Sequence, residues 1–145
     1  MKFLDWLRPL ALLLLRAAIA IIFIYHGYPK LFAHTRETMT AFTHMGFPGY
    51  WGIISGVIEF FGGCLLIAGL FTRVASLLLA GEMAIALWRV HGLLDRPMAV
   101  SNYEFPLSLL VGTFTLLCFG AGLLSLDEAI FGAGRGSGRP SRKAK

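Results

Sequence analysis

The sequence predicts an all-α polytopic membrane protein: a bundle of four transmembrane helices, with a short interfacial helix between helices 1 and 2. Three observations predict it. Hydrophobic residues make up 57% of the 145, above the roughly 45–50% of soluble domains. Charged residues make up 14%, where about 25% is usual. Mean hydropathy is +0.71, and the apolar residues fall in four long runs. In hydrocarbon every backbone N–H and C=O needs an internal partner, so runs this long and continuous read as helices and not as barrel strands. A soluble enzyme and a disordered chain are excluded. Almost all of the length is used in crossing, which leaves one membrane domain over 10–131 between a short N-terminus (1–9) and a basic tail (132–145).

Helix 1 is expected over 10–31, where the run from Pro9 to Lys30 is broken only by Arg16. Its length suits the roughly 20 residues needed to span about 30 Å of hydrocarbon. A charge in the middle argues against a cleavable signal peptide, whose apolar stretch should be uncharged. In the link from Phe32 to Gly49, Thr35 is expected to cap a short helix that puts Met39 and Phe42 on one side and stops at Gly46. Helix 2 is expected over 50–71 with a single charge, Glu59, and helix 3 over 73–94 with Glu82 at its middle and Arg89 and His91 near its end. Helix 4, over 104–126, has no charge from Phe105 to Leu126.

Loop charges give the direction. Lys2, Arg8, Arg73 and the tail residues Arg135, Arg139, Arg142, Lys143 and Lys145 fall on one side, while Arg36 and Arg96 are the clear loop positives on the other. The positive-inside rule then places both termini in the cytoplasm. The tail is rich in Gly, Ser and Pro, so it is expected to be disordered and to lie against anionic headgroups, with no nucleic-acid partner. Cys64 and Cys118 lie in apolar runs without a C-x-x-C, which predicts buried structural thiols and no thiolate metal site.

Charges inside a bilayer are costly, about 2.5–3.5 kcal/mol each near the centre, so they face inward and find partners. Counting from the helix ends puts Glu59 and Glu82 roughly 13 Å deep at 1.5 Å per residue. Gly52, Ser55, Gly56, Glu59 and Gly63 fall on one helical stripe, whose G-x-x-x-G lets a second helix approach closely. Glu59 therefore points into a helix contact, either as structural glue or as a proton-accepting or ligand-binding carboxylate. Arg16 and Glu82 lie at similar depth on opposite sequence arms, and a structural ion pair between them is expected. His26 and Lys30 share a face one turn apart, and with Arg89, His91 and Glu104 they outline an outward-facing polar pocket. His26 joins Glu59 as a candidate for proton transfer. Two histidines on separate helices without a close carboxylate pair predict no metal site.

These residues resemble the DoxX, or DoxX-like, family of bacterial inner-membrane proteins, from about Leu15 to Asp127. Leu15-Arg16 and His26-Gly27-Tyr28-Pro29-Lys30-Leu31-Phe32 are similar to the family's L-R and H-G-x-x-K-L-F. Gly56-Val57-Ile58-Glu59-Phe60-Phe61-Gly62-Gly63 resembles its G-x-x-E-x-x-G-G, and Gly69-Leu70-Phe71-Thr72-Arg73 its G-L-x-T-R turn. Val90-His91, Glu104-Phe105-Pro106-Leu107 and Ser125-Leu126-Asp127 complete the series. The resemblance implies a four-helix fold, the bacterial inner membrane, and a link to quinone-connected oxidoreductase complexes.

Three functions follow as expectations. The first is a quinone-interacting or membrane-anchoring subunit of an oxidoreductase complex, with quinone bound noncovalently near His26, Lys30 and Glu59 and with Phe60, Phe61 and Trp88 as apolar walls. The sequence carries no ligand set for flavin, haem or iron–sulfur, so electrons would come from a soluble redox partner, and the chain is not a complete enzyme by itself. The second is a non-catalytic scaffold that docks a partner or a second copy. The third is a small oligomeric transporter or proton path through Glu59 and Glu82.

Overall fold

The computed structural model describes residues 2–90 and 103–132, with side chains over 7–89 and 103–130. His91, Arg96 and the basic tail beyond Gly132 lie outside the described residues. All regular structure among those described is helical. Helix α1 (Lys2–Tyr28) runs into a π-helical turn at Pro29–Ala33, followed by α2 (Thr35–His44) and α3 (Tyr50–Ala68). Helix α4 (Thr72–Ile85) continues as a π-helical turn at Ala86–Val90. Helix α5 (Glu104–Phe119) precedes a last π-helical turn at Glu128–Gly132. Two stretches, Leu7–Ala33 and Tyr50–Ala68, are long and apolar enough to cross a membrane, whereas α4 and α5 have 14 and 16 residues.

α1 begins at Lys2, about two turns before the expected start, because Pro9 sits inside the helix without ending it. Pro29 has the larger effect. It has no N–H to give to the preceding turn, so the ladder slips to the wider π spacing, and His34 N–H bonds Pro29 O at 2.7 Å. The short helix over the α2 residues forms as expected but is capped differently. His34, not Thr35, stands at its N-cap, and the Thr35 hydroxyl donates back to Leu31 O at 2.8 Å. Thr38 and Phe42 pack on Gly52, and Met39 on Gly49, so α2 lies across the start of α3.

The main pairings are α1 with α3 and α4 with α5, joined by α3 against α4. Ile19, Ala20 and Phe23 of α1, Leu66 of α3, Ala75, Leu79 and Met83 of α4, and Leu109 and Leu116 of α5 form the apolar centre. The stripe on α3 faces inward as expected: Gly52, Ser55, Gly56, Glu59 and Gly63 are all buried. The α1–α3 crossing is close enough that only glycine fits at Gly27, where a Cβ would stand 2.5 Å from Phe60 N and 3.0 Å from Gly56 O. Backbone cannot step aside as a side chain can. Gly27→Ala is therefore expected to push α3 off α1 and to cost about 1–3 kcal/mol, as overpacking does. Thermal melting in detergent checks it, and an unchanged midpoint would mean that the crossing yields.

The opposite end is closed by chain reversals. α3 stops at Gly69 (φ 67°), where Gly69 N–H bonds Leu66 O and Leu70 N–H bonds Leu65 O, the two bonds of a Schellman ending. Phe71 follows with φ 49°. The Asp127 carboxylate then caps α4, accepting from Phe71 N–H at 2.7 Å and Thr72 N–H at 2.9 Å. α5 ends at Phe119 and not at 126, because Gly120 (φ 76°) and Gly122 (φ 77°) turn the chain back under the bundle. Cys64 and Cys118 are free and exposed. The expectation of buried thiols fails because both lie off the buried stripes of α3 and α5, where a small apolar side chain serves equally well facing outward.

Candidate functional site

Three helices bring four polar side chains together in the interior. The π-helical turn carries Lys30 over α3, where the missing Cβ of Gly56 leaves room for the Lys30 Cβ. The Lys30 ammonium lies 2.7 Å from Glu59 Oε2 and donates to Ser55 Oγ at 2.9 Å. Ser55 Oγ in turn donates to Glu82 Oε1 on α4. Glu59 is 4% exposed, while the Lys30 side chain keeps 24%, so the cluster is deep but reachable from the Lys30 side. Glu82 Oε2 is buried without a hydrogen-bond partner.

Two cavities meet at Glu59. The larger, about 560 Å³, is bounded by Phe42, Phe47, Trp51, Ile54, Leu77 and Leu78, with Lys30, Ser55, Glu59 and Glu82 as its polar wall. The smaller, about 270 Å³, holds His26 with Phe23, Met83, Phe105 and Leu109, and Glu59 closes it. His26 Nδ1 lies 2.8 Å from Ile22 O. A carbonyl only accepts, so Nδ1 carries the hydrogen, and Nε2 keeps the lone pair when the ring is neutral.

The expected pair of Arg16 and Glu82 does not form. Arg16 is 2% exposed, and its two terminal nitrogens donate to Ala121 O at 2.6 Å and Leu124 O at 2.8 Å. The reversal at Gly120 and Gly122 brings these carbonyls beneath α1, and Asp127 lies near enough for its charge to act on Arg16. Glu82 is on the far side of the core and belongs to the Lys30 cluster. Of the expected pocket residues, Lys30 and Glu59 come together, and His26 reaches Glu59 through the second cavity. Arg89 sits 5.7 Å above the Phe47 ring, at the rim of the larger cavity. Glu104 is exposed at the start of α5, next to Phe105, whose ring is 5.6 Å from His26. His91 lies outside the described residues. Ser55 was legible as a member of the stripe, but nothing in the sequence marked it as the link to Glu82. The aromatic walls are also different residues. Phe60 packs on Tyr28 and Phe32, Phe61 and Trp88 are exposed, and Phe42, Phe47 and Trp51 line the cavity instead.

The described residues are thus all-helical in their regular structure, with long apolar spans around a lysine–carboxylate cluster. The DoxX family model matches residues 11–92. A protein of Haemophilus influenzae with no functional name is 36% identical over 90% of this chain and 98% of its own. The Bacillus subtilis protein named "Putative oxidoreductase CatD" is 34% identical, covering 82% of this chain and 86% of its own length. The Escherichia coli "Inner membrane protein YqjF" is 30% identical over 86% and 95%. No solved structure matches. The chain belongs to the DoxX family of membrane proteins.

Proposed function

We propose that the chain is a quinone-interacting membrane subunit of an oxidoreductase complex, crossing the bacterial inner membrane four times with both termini in the cytoplasm. The observation that carries the reading is the cluster of Lys30, Ser55, Glu59 and Glu82 set in the wall of an otherwise apolar cavity of about 560 Å³, a size within the usual range for small-molecule sites. The residues fit a quinone. An ammonium has three N–H groups. Those of Lys30 engage Ser55 and Glu59, which leaves one for a ligand carbonyl, while Trp51, Ile54, Leu77 and Ile85 offer an apolar slot for a tail. Quinone bound there supplies two-electron, two-proton redox chemistry, with a soluble partner as the source or sink of electrons. Glu59 holds Lys30 in place and exchanges the proton. The name of the Bacillus relative agrees with this direction.

Four crossings are supported by the outward apolar surface of the shorter helices, including Val74 on α4 and Val111 and Phe114 on α5. The π-helical turn extends α4 to Val90. The 16 residues of α5 rise about 24 Å, a mismatch that local thinning of the bilayer accommodates. The test is solvent extraction of the protein purified in native lipid discs, with quantification of co-purified quinone. Near-stoichiometric quinone is expected, falling about tenfold in Glu59→Gln, as for loss of the contact that orients a charged donor. In His26→Ala the quinone should be retained, since His26 lines the other cavity. Quinone at the level of empty discs, with folded variants, would favour the scaffold.

A further inference from the structure

The polar cluster is a continuous chain of one ion pair and two hydrogen bonds, not a set of separate pairs. Glu59 Oε2 touches the Lys30 ammonium at 2.7 Å, the ammonium donates to Ser55 Oγ at 2.9 Å, and the Ser55 hydroxyl donates to Glu82 Oε1. The Lys30 ammonium is the donor to both Glu59 and Ser55, so the chain runs outward from it, to Glu59 on one side and through Ser55 to Glu82 on α4 on the other. The first member, Glu59, lines both the His26 cavity and the larger one. The last member, Glu82, lines the larger cavity and keeps Oε2 without a hydrogen-bond partner.

We infer that Glu59, Lys30, Ser55 and Glu82 form a proton relay that carries a proton from Glu59, at the His26 cavity, to Glu82, with the Ser55 hydroxyl as the link through which Glu82 is reached. The relay rests on the quinone reading for what the proton serves, and on the ion pair and the two hydrogen bonds for its path. Each step balances without electrons or a co-reactant. Lys30 passes an N–H proton to Ser55 Oγ while the proton of the Ser55 hydroxyl crosses to Glu82. One N–H and one O–H bond break, and two O–H bonds form. The neutral amine then takes the proton of a protonated Glu59, restoring the ammonium. The net result is one proton moved from Glu59 to Glu82. Glu59 is refilled from the His26 cavity, which at about 270 Å³ has room for bridging water. The same steps run in reverse when the larger cavity releases a proton.

Infrared spectroscopy of the whole protein in lipid discs reads this directly. The protonated-carboxyl C=O band of Glu82 is identified by its loss in Glu82→Gln, and its shift on transfer to D2O is timed. Ser55→Ala is expected to slow that exchange by about tenfold or more, the low end of what loss of a proton-transfer group does. Ser55→Thr, which keeps the hydroxyl, should restore it. Glu59→Gln should slow exchange in the same way, and it serves if Ser55→Ala fails to fold. Exchange at the parent rate in both variants would overturn the relay, because the proton would then reach Glu82 straight from the larger cavity. So would the absence of any Glu82 band at every pH at which the protein is folded. Quinone extracted from the same discs separates the two readings. Slowed exchange without quinone keeps the relay and removes the quinone site; bound quinone with unaltered exchange does the reverse.

Discussion

Arg16→Leu is expected to destabilise the protein by about 3–5 kcal/mol, the sum of two hydrogen bonds to a buried charged group. The guanidinium is 2% exposed and makes two charge-assisted bonds, to Ala121 O and Leu124 O. Hydrogen bonds to charged groups are worth about 1.5–3 kcal/mol each. Leucine fills much of the volume but offers no donor, so both carbonyls lose their partner and the segment from Gly120 to Asp127 loses its hold on α1. The damage should spread to α4, whose first N–H groups depend on Asp127 in that same segment. Arg16→Lys should recover only part of the loss, since a single ammonium does not fork to two carbonyls as a guanidinium does. Adding Glu82→Leu to Arg16→Leu should not rescue, because Glu82 pairs elsewhere. Thermal unfolding in one detergent measures all three. Recovery in the double variant would restore the Arg16–Glu82 pair and refute the arrangement described above.

Lys30→Met is expected to be the other severe change, toward the lower end of the same roughly 3–5 kcal/mol because the side chain remains partly exposed. Methionine keeps the length and the apolar stem but leaves Glu59 and Glu82 in the interior with Ser55 as their remaining neighbour in the cluster. Removing the stranded charge should compensate. Lys30→Met with Glu59→Gln is expected to regain most of the stability while binding no quinone, which separates the stabilising part of the ammonium from the part in ligand recognition proposed for it. The melting temperatures of the single and double variants decide it. A double variant no more stable than Lys30→Met would show that the two groups are not coupled in the folded state.

Helical periodicity reports which residues of one helix share a face. That is why the stripe Gly52, Ser55, Gly56, Glu59 and Gly63 was legible from the chain, along with its closeness to another helix. Hydropathy likewise marked the apolar helices, and the cost of a charge in hydrocarbon singled out Glu59, Glu82 and Arg16 as inward-facing. Periodicity carries no information on how two helices are rotated and shifted against each other, and partner choice depends on both. Counting depth from the helix ends made Arg16 and Glu82 look like neighbours, because each lies about halfway along its run. In the folded protein Glu82 turns toward α3, and Arg16 meets carbonyls 105 and 108 residues away.

By itself, then, the sequence determined an all-helical membrane chain, the inward face of α3 and the residues with chemistry to offer, since these follow from composition, spacing and local hydrogen bonding. Who bonds whom was decided by the tertiary structure. Two local irregularities set it: the missing N–H of Pro29 opens a π-helical turn that brings Lys30 over Gly56, and the positive φ of Gly120 and Gly122 folds the chain back under Arg16. Each is a small backbone event whose effect lies in the helix it brings within reach, and contacts across helices of that kind have no period along the chain.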